Sequence, residues 1–214
     1  MDHIIVHVTR VVACFPRLRI LSALAPAGEI TPSDLARQLD TGIDSVCVHL
    51  KHLSSAGLIQ RRHSGIWCYG VASSPYADQT FSGKVARWLY SILKDPVQTL
   101  NDFGVDQLRN LSATQAQTQL HAFVFEAATA FGNLRRLKIL RYLAAHGPAT
   151  ADDLSKKLSM SLPAVWRHVD KLTRRGYVEA ESVGGSSRYR LTSKAKTPVH
   201  QKLLEFVTAE WKKR

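Results

Sequence analysis

Apolar residues recur in two stretches of this chain with one spacing, and the stretches lie 119 residues apart. Val46, Leu50 and Leu53 fall at i, i+4 and i+7, and Val165, Val169 and Leu172 repeat them. That is the stripe of a helix with one buried face. Upstream, Arg17-Leu18-Arg19-Ile20-Leu21 returns as Arg136-Leu137-Lys138-Ile139-Leu140. The pairs Leu24/Leu143, Gly28/Gly147, Leu35/Leu154, Leu39/Leu158, His49/His168 and Gly57/Gly176 keep the same offset without a gap. A period this long is no solenoid repeat and predicts a duplicated domain, each copy folding around its own core.

Local signals place the elements. Thr31-Pro32-Ser33-Asp34 and Thr150-Ala151-Asp152-Asp153 each set a hydroxyl three residues before a carboxylate, the arrangement that satisfies free N–H groups at a helix start. A short helix follows, with Leu35 and Leu39, or Leu154 and Leu158, on its buried face. After a break the striped helix begins, with Ser161 as N-cap and Pro163 in the first turn of the second copy. Gly57 and Gly176 suit the left-handed residue just past its end. Two short helices joined by a tight turn form a helix-turn-helix outline.

A strand-turn-strand pattern comes next in both copies. Leu58–Arg61 turns at Ser64-Gly65 and returns through Trp67–Tyr69, and Tyr177–Ala180 turns at Gly184-Gly185 and returns through Arg188–Leu191. Each hairpin reads as a wing. Amphipathic helices end both copies, marked by Phe81, Val85, Trp88 and Leu89, and by Val199, Leu203, Phe206 and Trp211. Residues 2 to 13 and 114 to 130 start them. The expected fold is mainly α with small β-hairpin wings (α+β), as tandem duplicated winged helix-turn-helix domains at 1–94 and 114–214 with a connector at 95–113.

The motifs resemble those of the ArsR-type winged helix-turn-helix transcriptional regulators. The likeness rests on Arg17-Leu-Arg-Ile-Leu, Leu35-Ala-Arg-Gln-Leu, Ser45-Val-Cys-Val-His-Leu-Lys-His-Leu and Gly65-Ile-Trp-Cys-Tyr, and again on Arg136-Leu-Lys-Ile-Leu, Leu154-Ser-Lys-Lys-Leu, Ala164-Val-Trp-Arg-His-Val and Ser187-Arg-Tyr-Arg-Leu. It spans residues 2 to 94 and about 114 to 213. The resemblance implies double-stranded DNA as partner, transcription regulation with repression as the expected mode, and a cytoplasmic, nucleoid-associated location. Family members usually carry one such domain and pair through their first and last helices. Two domains in one chain leave the oligomeric state open between internal pairing as a pseudo-dimer and a homodimer.

Charge supports a polyanionic partner. The formal net charge is +12. The balance of Lys and Arg over Asp and Glu is +2 for residues 1 to 75, zero for 76 to 118 and +10 for 119 to 214. The second helix of such a motif enters the major groove while the wing lies over the backbone. Ser161, Pro163, Ala164, Trp166, Arg167, Lys171 and Arg174 on that helix, with Arg188 and Arg190 on the wing, are therefore the candidate DNA contacts of the second copy, the main reader. Arg167 can fork onto a guanine edge or a phosphate. Ser45, Val48, Lys51 and His52 are the candidates in the first copy. There Asp44 occupies the helix start and repels phosphate, so this copy is expected to be a weaker reader or a pairing module.

Other chemistry is not indicated. There is no Gly-rich phosphate loop, no His-Glu-x-x-His and no Gly-x-Ser-x-Gly, so no enzyme is expected. No cofactor or metal is expected either: the nine histidines lack ligand spacing, and His200, Glu205 and Glu210 on the last helix form no compact set. Cys14, Cys47 and Cys68 fit packing better than a thiol switch, and an odd, irregular set argues against a secreted disulfide framework. No apolar run approaches a membrane span. Any small-molecule inducer is left unspecified. The rival reading is a structural adaptor, a tandem winged-helix accessory protein of chromosome organisation that holds protein partners.

Overall fold

The computed structural model describes residues 1–65, 67–104, 111–183 and 186–212. In chain order it shows α1 (Asp2–Val12), α2 (Phe15–Ala27), β1 (Glu29–Ile30), α3 (Pro32–Gln38), α4 (Ile43–Ser55), β2 (Gln60–Ser64), β3 (Trp67–Val71), α5 (Phe81–Lys94), α6 (Pro96–Asp102) and α7 (Ala113–Phe131). The second half continues with α8 (Leu134–His146), β4 (Ala149–Thr150), α9 (Ala151–Leu158), α10 (Leu162–Arg174), β5 (Val178–Val183), β6 (Ser186–Leu191) and α11 (Pro198–Lys212). This is the mainly α architecture with small hairpins that the duplicated pattern predicts.

Two compact units form. One comprises Val11–Phe125; the other comprises Met1–Arg10 together with Glu126–Arg214. The sequence partition at 1–94, 95–113 and 114–214 differs from this grouping at both edges. Residues 1–10 carry Ile5 and Val8, both fully buried, and they are tied to the second-copy unit by polar bonds: Asp2 accepts from Arg141 at 3.3 Å, and Arg10 donates through Nη2 to the Gly132 carbonyl at 3.2 Å. Amphipathicity alone does not say which core an end helix covers.

In the Val11–Phe125 unit, α3 and α4 pack as the helix-turn-helix pair beneath α2, and α5 lies along α2. Leu18, Leu24, Leu35, Val46, Leu50 and Leu53 close the core. Burying such side chains contributes about 1.5 to 3 kcal/mol each. The sheet runs β1-β3-β2, antiparallel, with Arg62 opposite Tyr69. The connector holds a helix that the sequence reading left out: the Asp95 carboxylate caps α6 by accepting from Gln98 N at 3.0 Å.

The second-copy unit repeats the plan. Leu137, Leu143, Leu154, Val165, Val169 and Leu172 fill the equivalent core, joined by Tyr177, whose ring meets Phe131 edge-on at 4.8 Å. Its sheet runs β4-β6-β5, with Glu181 opposite Arg188. The strands β1 and β4, two residues each, are too short to leave a periodic signature. The predicted turn at Gly184-Gly185 lies outside the described residues.

The caps explain where the helices start. At Thr150 both halves of the capping box form: Asp153 N donates to the Thr150 hydroxyl at 3.1 Å, and Thr150 N donates to the Asp153 carboxylate at 3.0 Å. At Thr31 the hydroxyl accepts from Asp34 N at 3.1 Å and itself donates to the Asp34 carboxylate. Ser161 sits at the N-cap of α10 in extended backbone but makes no side-chain cap bond. Asn133 caps α8, accepting from Arg135 N and Arg136 N, where its counterpart Cys14 makes no such bond.

Two buried histidines give the fold a pH dependence. His121 is bonded to the Ser22 hydroxyl at 2.7 Å, and burial, with help from Arg19, depresses its pKa to about 4. Burial depresses His200 to about 4 as well, against the opposing pull of Glu126. Each ring is neutral in the fold and takes up a proton more readily when unfolded, so stability is full above about pH 6.5 and is lost as pH falls towards 4. The expected loss is about 1 to 3 kcal/mol per histidine, read as a falling urea midpoint, with His121→Gln flattening the profile. A midpoint constant from pH 7 to 4.5 would contradict this assignment. Gly176 gives a second test. Its φ is +72°, and a Cβ there would lie 2.9 Å from Lys196 Cβ. Gly176→Ala should therefore cost about 1 to 3 kcal/mol, measured by thermal unfolding.

Candidate nucleic-acid interface

The exposed face of α10 is set by what its other face must bury. Val165, His168, Val169 and Leu172 point into the core, which leaves Ser161, Pro163, Trp166, Arg167, Asp170 and Arg174 outside and Leu162 and Lys171 at the margin. Trp166 is 53% exposed, an uncommon position for a large indole unless it contacts a partner. One candidate is corrected here. Ala164 is 6% exposed and faces the core, so it has no reach to a base edge.

Ion pairs sort the cations. Arg174 pairs with Asp170 one turn back. Arg175, at the end of α10, is bound to Glu126 at 2.8 Å, and Lys196 binds the same carboxylate at 2.8 Å. Burial pushes the Glu126 carboxyl up, but Lys196 and Arg175 outweigh it and hold the pKa below the usual range. Arg175 is thus a strut within the unit, its charge answered by Glu126. Arg190 on β6 pairs with Glu179 at 3.1 Å and Glu181 at 3.8 Å, so much of its charge is answered within the wing. Arg167 and Arg188 are exposed, and among the described residues neither has a carboxylate within ion-pair distance, although, after the Thr150 hydrogen bonds, the Arg188 charge helps to lower the pKa of Asp153. Lys171 has its pKa lowered by burial and then by Arg175, Arg174 and Arg136, a sign of crowded positive charge on this face.

The equivalent face of α4 differs in chemistry. Ile43 and Val48 are 46% and 53% exposed, with Asp44, Ser45, Cys47, Lys51 and His52 also outside. All four first-copy candidates therefore lie on the surface, in mainly apolar and weakly charged company. The first wing carries cations that the sequence reading passed over. Arg61, Arg62 and His63 are exposed on β2, but Arg62 is held by Glu29 through three bonds of 2.8, 2.9 and 3.1 Å and lies over the Tyr69 ring. A run of three basic residues, from the end of the predicted strand to its turn, was the available signal.

His49 and His168 keep their equivalent places beside the core. Burial lowers both pKa values, then Arg17 for His49 and Arg136 for His168. A bond to the backbone is not what holds them: His49 Nδ1 and His168 Nε2 are buried without a hydrogen-bond partner. Among the described residues, no group of three His, Cys, Asp or Glu side chains could hold a metal, and no helix is long and apolar enough to cross a membrane. Cys14, Cys47 and Cys68 are free thiols.

Comparison with known proteins agrees with this geometry. Residues 133–179 match the family described as winged helix-turn-helix DNA-binding, and residues 17–62 match the family described as helix-turn-helix domain. Each match ends on its wing strand. Among solved structures, HlyU from Vibrio cholerae is 25% identical over an alignment covering 42% of this chain and 95% of that one, with a TM-score of 0.36. No curated protein matches the chain. Two helix-turn-helix domains, one of them of the DNA-binding winged class, define a DNA-binding regulator of transcription.

Proposed function

We propose that the chain is an ArsR-like, sequence-specific double-stranded DNA-binding repressor with no catalytic role, whose second copy supplies most of the affinity. The observation that carries the reading is the outer face of α10, where Trp166 and Arg167 stand exposed on the N-terminal half of the helix and Arg188 extends the cation row onto the wing. Arg167 reads a base edge or clamps a phosphate; Arg188 contacts the backbone. The protein bound at its operator blocks polymerase, and on this reading it works in the cytoplasm at the nucleoid. Ser161, Pro163, Lys171 and Arg174 flank this centre, with Arg174 and Arg190 contributing less because carboxylates already hold them.

One observation favours a different task for the first copy. Ile43 and Val48 lie exposed beside Asp44, a surface that suits an apolar partner better than a phosphate backbone. On this reading the α4 face, with Ser45, Lys51 and His52 at its rim, takes a protein surface, and the adaptor role belongs to this copy alone.

Duplex affinity should fall steeply with salt, as the basic second copy releases counterions from several phosphates. Fluorescence anisotropy between 50 and 200 mM salt measures this, each concentration being about what such titrations use. Arg188→Ala should weaken all duplexes alike and by more than Arg190→Ala, while Arg167→Ala and Trp166→Ala should also erode preference among sequences by about 1 to 3 kcal/mol. Salt-independent binding, or intact preference in Arg167→Ala, would sink the assignment.

A further inference from the structure

A recess of about 440 Å³ opens beside α10 in the second-copy unit, lined by Arg10, Asn133, Leu134, Arg135, Arg167 and His168. Three of its six walls are guanidinium side chains and none is a carboxylate. Arg10 is steadied by two bonds to the Gly132 carbonyl, at 3.3 and 3.2 Å. Arg135 is exposed on the first turn of α8, and Arg167 is exposed on α10. Arg135 and Arg167 bring two exposed guanidinium groups to this recess, and an anion between them relieves their mutual repulsion.

His168 is 7% exposed, lines this recess, and its Nε2 is buried with no hydrogen-bond partner. The equivalent His49 of the first copy also has a buried ring nitrogen, Nδ1, without a partner, so what sets the second copy apart is the arginines around the ring. The positive groups facing His168 are Arg136, Arg167 and Arg135. Arg136 is occupied elsewhere, donating to the Ala130 carbonyl at 2.9 Å and the Thr129 carbonyl at 2.6 Å.

The first copy is the internal control. At the positions of Asn133, Arg135 and Arg167 it has Cys14, Pro16 and Val48. The surroundings there are apolar: Phe15 stacks on Phe125 at 4.7 Å, and Val48 is exposed. The shared skeleton therefore does not require arginines at these positions.

We propose that the recess is a phosphate site, in which Arg135, Arg167 and Arg10 hold a tetrahedral phosphate group over His168. Guanidinium forks match phosphate oxygens in pairs. The α8 amides add little, since Asn133 already accepts from Arg135 N and Arg136 N. The phosphate comes from one of two sources: a phosphodiester of bound duplex, in which case the site rests on the DNA-binding function proposed above, or a free phosphate ester, in which case it does not.

The experiment uses the full chain, Arg135→Gln, and Lys138→Gln as a control that removes an exposed charge from the same helix outside the recess. Circular dichroism first establishes that both variants are folded. Inorganic phosphate is titrated while the His168 ring resonances are followed by NMR, and duplex affinity is measured against salt. For a backbone phosphate, Arg135→Gln lowers the salt slope by about one and the affinity by roughly 5- to 20-fold at low salt, more than Lys138→Gln does. For a free phosphate ester, inorganic phosphate moves the His168 resonances in the wild type and not in Arg135→Gln, while the two variants bind duplex alike. Failure of the wild type to bind DNA, with the phosphate response intact, defeats the DNA reading and leaves the recess standing. Full DNA binding, with no phosphate response and no difference between the variants, overturns the recess and leaves the DNA reading standing.

Discussion

Burial of one apolar stripe on the second helix of each motif is the constraint from which the rest follows. Val46, Leu50 and Leu53 on α4, and Val165, Val169 and Leu172 on α10, have nowhere to go but the core beneath α2 or α8. Once they are buried, the 3.6-residue period decides which side chains face outward, and no further choice is open to the backbone. Trp166 and Arg167 are exposed because Val165 and Val169 are not. The same constraint denies Ala164 a part in recognition, since it lies on the buried arc.

Charge does its sorting on top of that geometry. A count of Lys and Arg treats all cations as equal, whereas the structure divides them by partner. Arg175 is a strut because Glu126 reaches it from α7, and Lys196 binds the same carboxylate. Arg190 leans on two glutamates across the wing. The Arg190 pairs are exposed and contribute little stability, whereas the Arg175–Glu126 pair is part-buried. They answer charge locally, so that Arg167 and Arg188 stand out among neutralised neighbours.

Much of this fold was legible in the sequence because helices advertise themselves by period and by cap. The stripe on α10, the hydroxyl-to-carboxylate spacing at Thr150 and the glycine at Gly176 each carry their own physical signal. The strands β1 and β4 do not, as two residues define no alternation. Helix α6 was hidden in a segment that Asp95-Pro96 and Gly104 make resemble a loop, although Asp95 is its cap. The grouping of residues 1–10 with Glu126–Arg214 depends on long-range contacts, such as Asp2 with Arg141, and no local pattern encodes those. The partition of arginines into paired and unpaired was hidden for the same reason, since Glu126 lies 49 residues from Arg175.

What the duplication adds is a way to separate scaffold from function inside one molecule. Positions that hold the core keep their character in both copies: Leu18 and Leu137, Leu35 and Leu154, Leu53 and Leu172 are fully buried pairs. Outward positions have parted, with Val48 against Arg167 and Pro16 against Arg135. A single domain would not show whether an arginine serves folding or a ligand. Here the first copy folds with valine and proline at the same places, so the second copy's arginines are not needed for the core. Their charge is available to a ligand outside the unit, which in the site proposed above is phosphate.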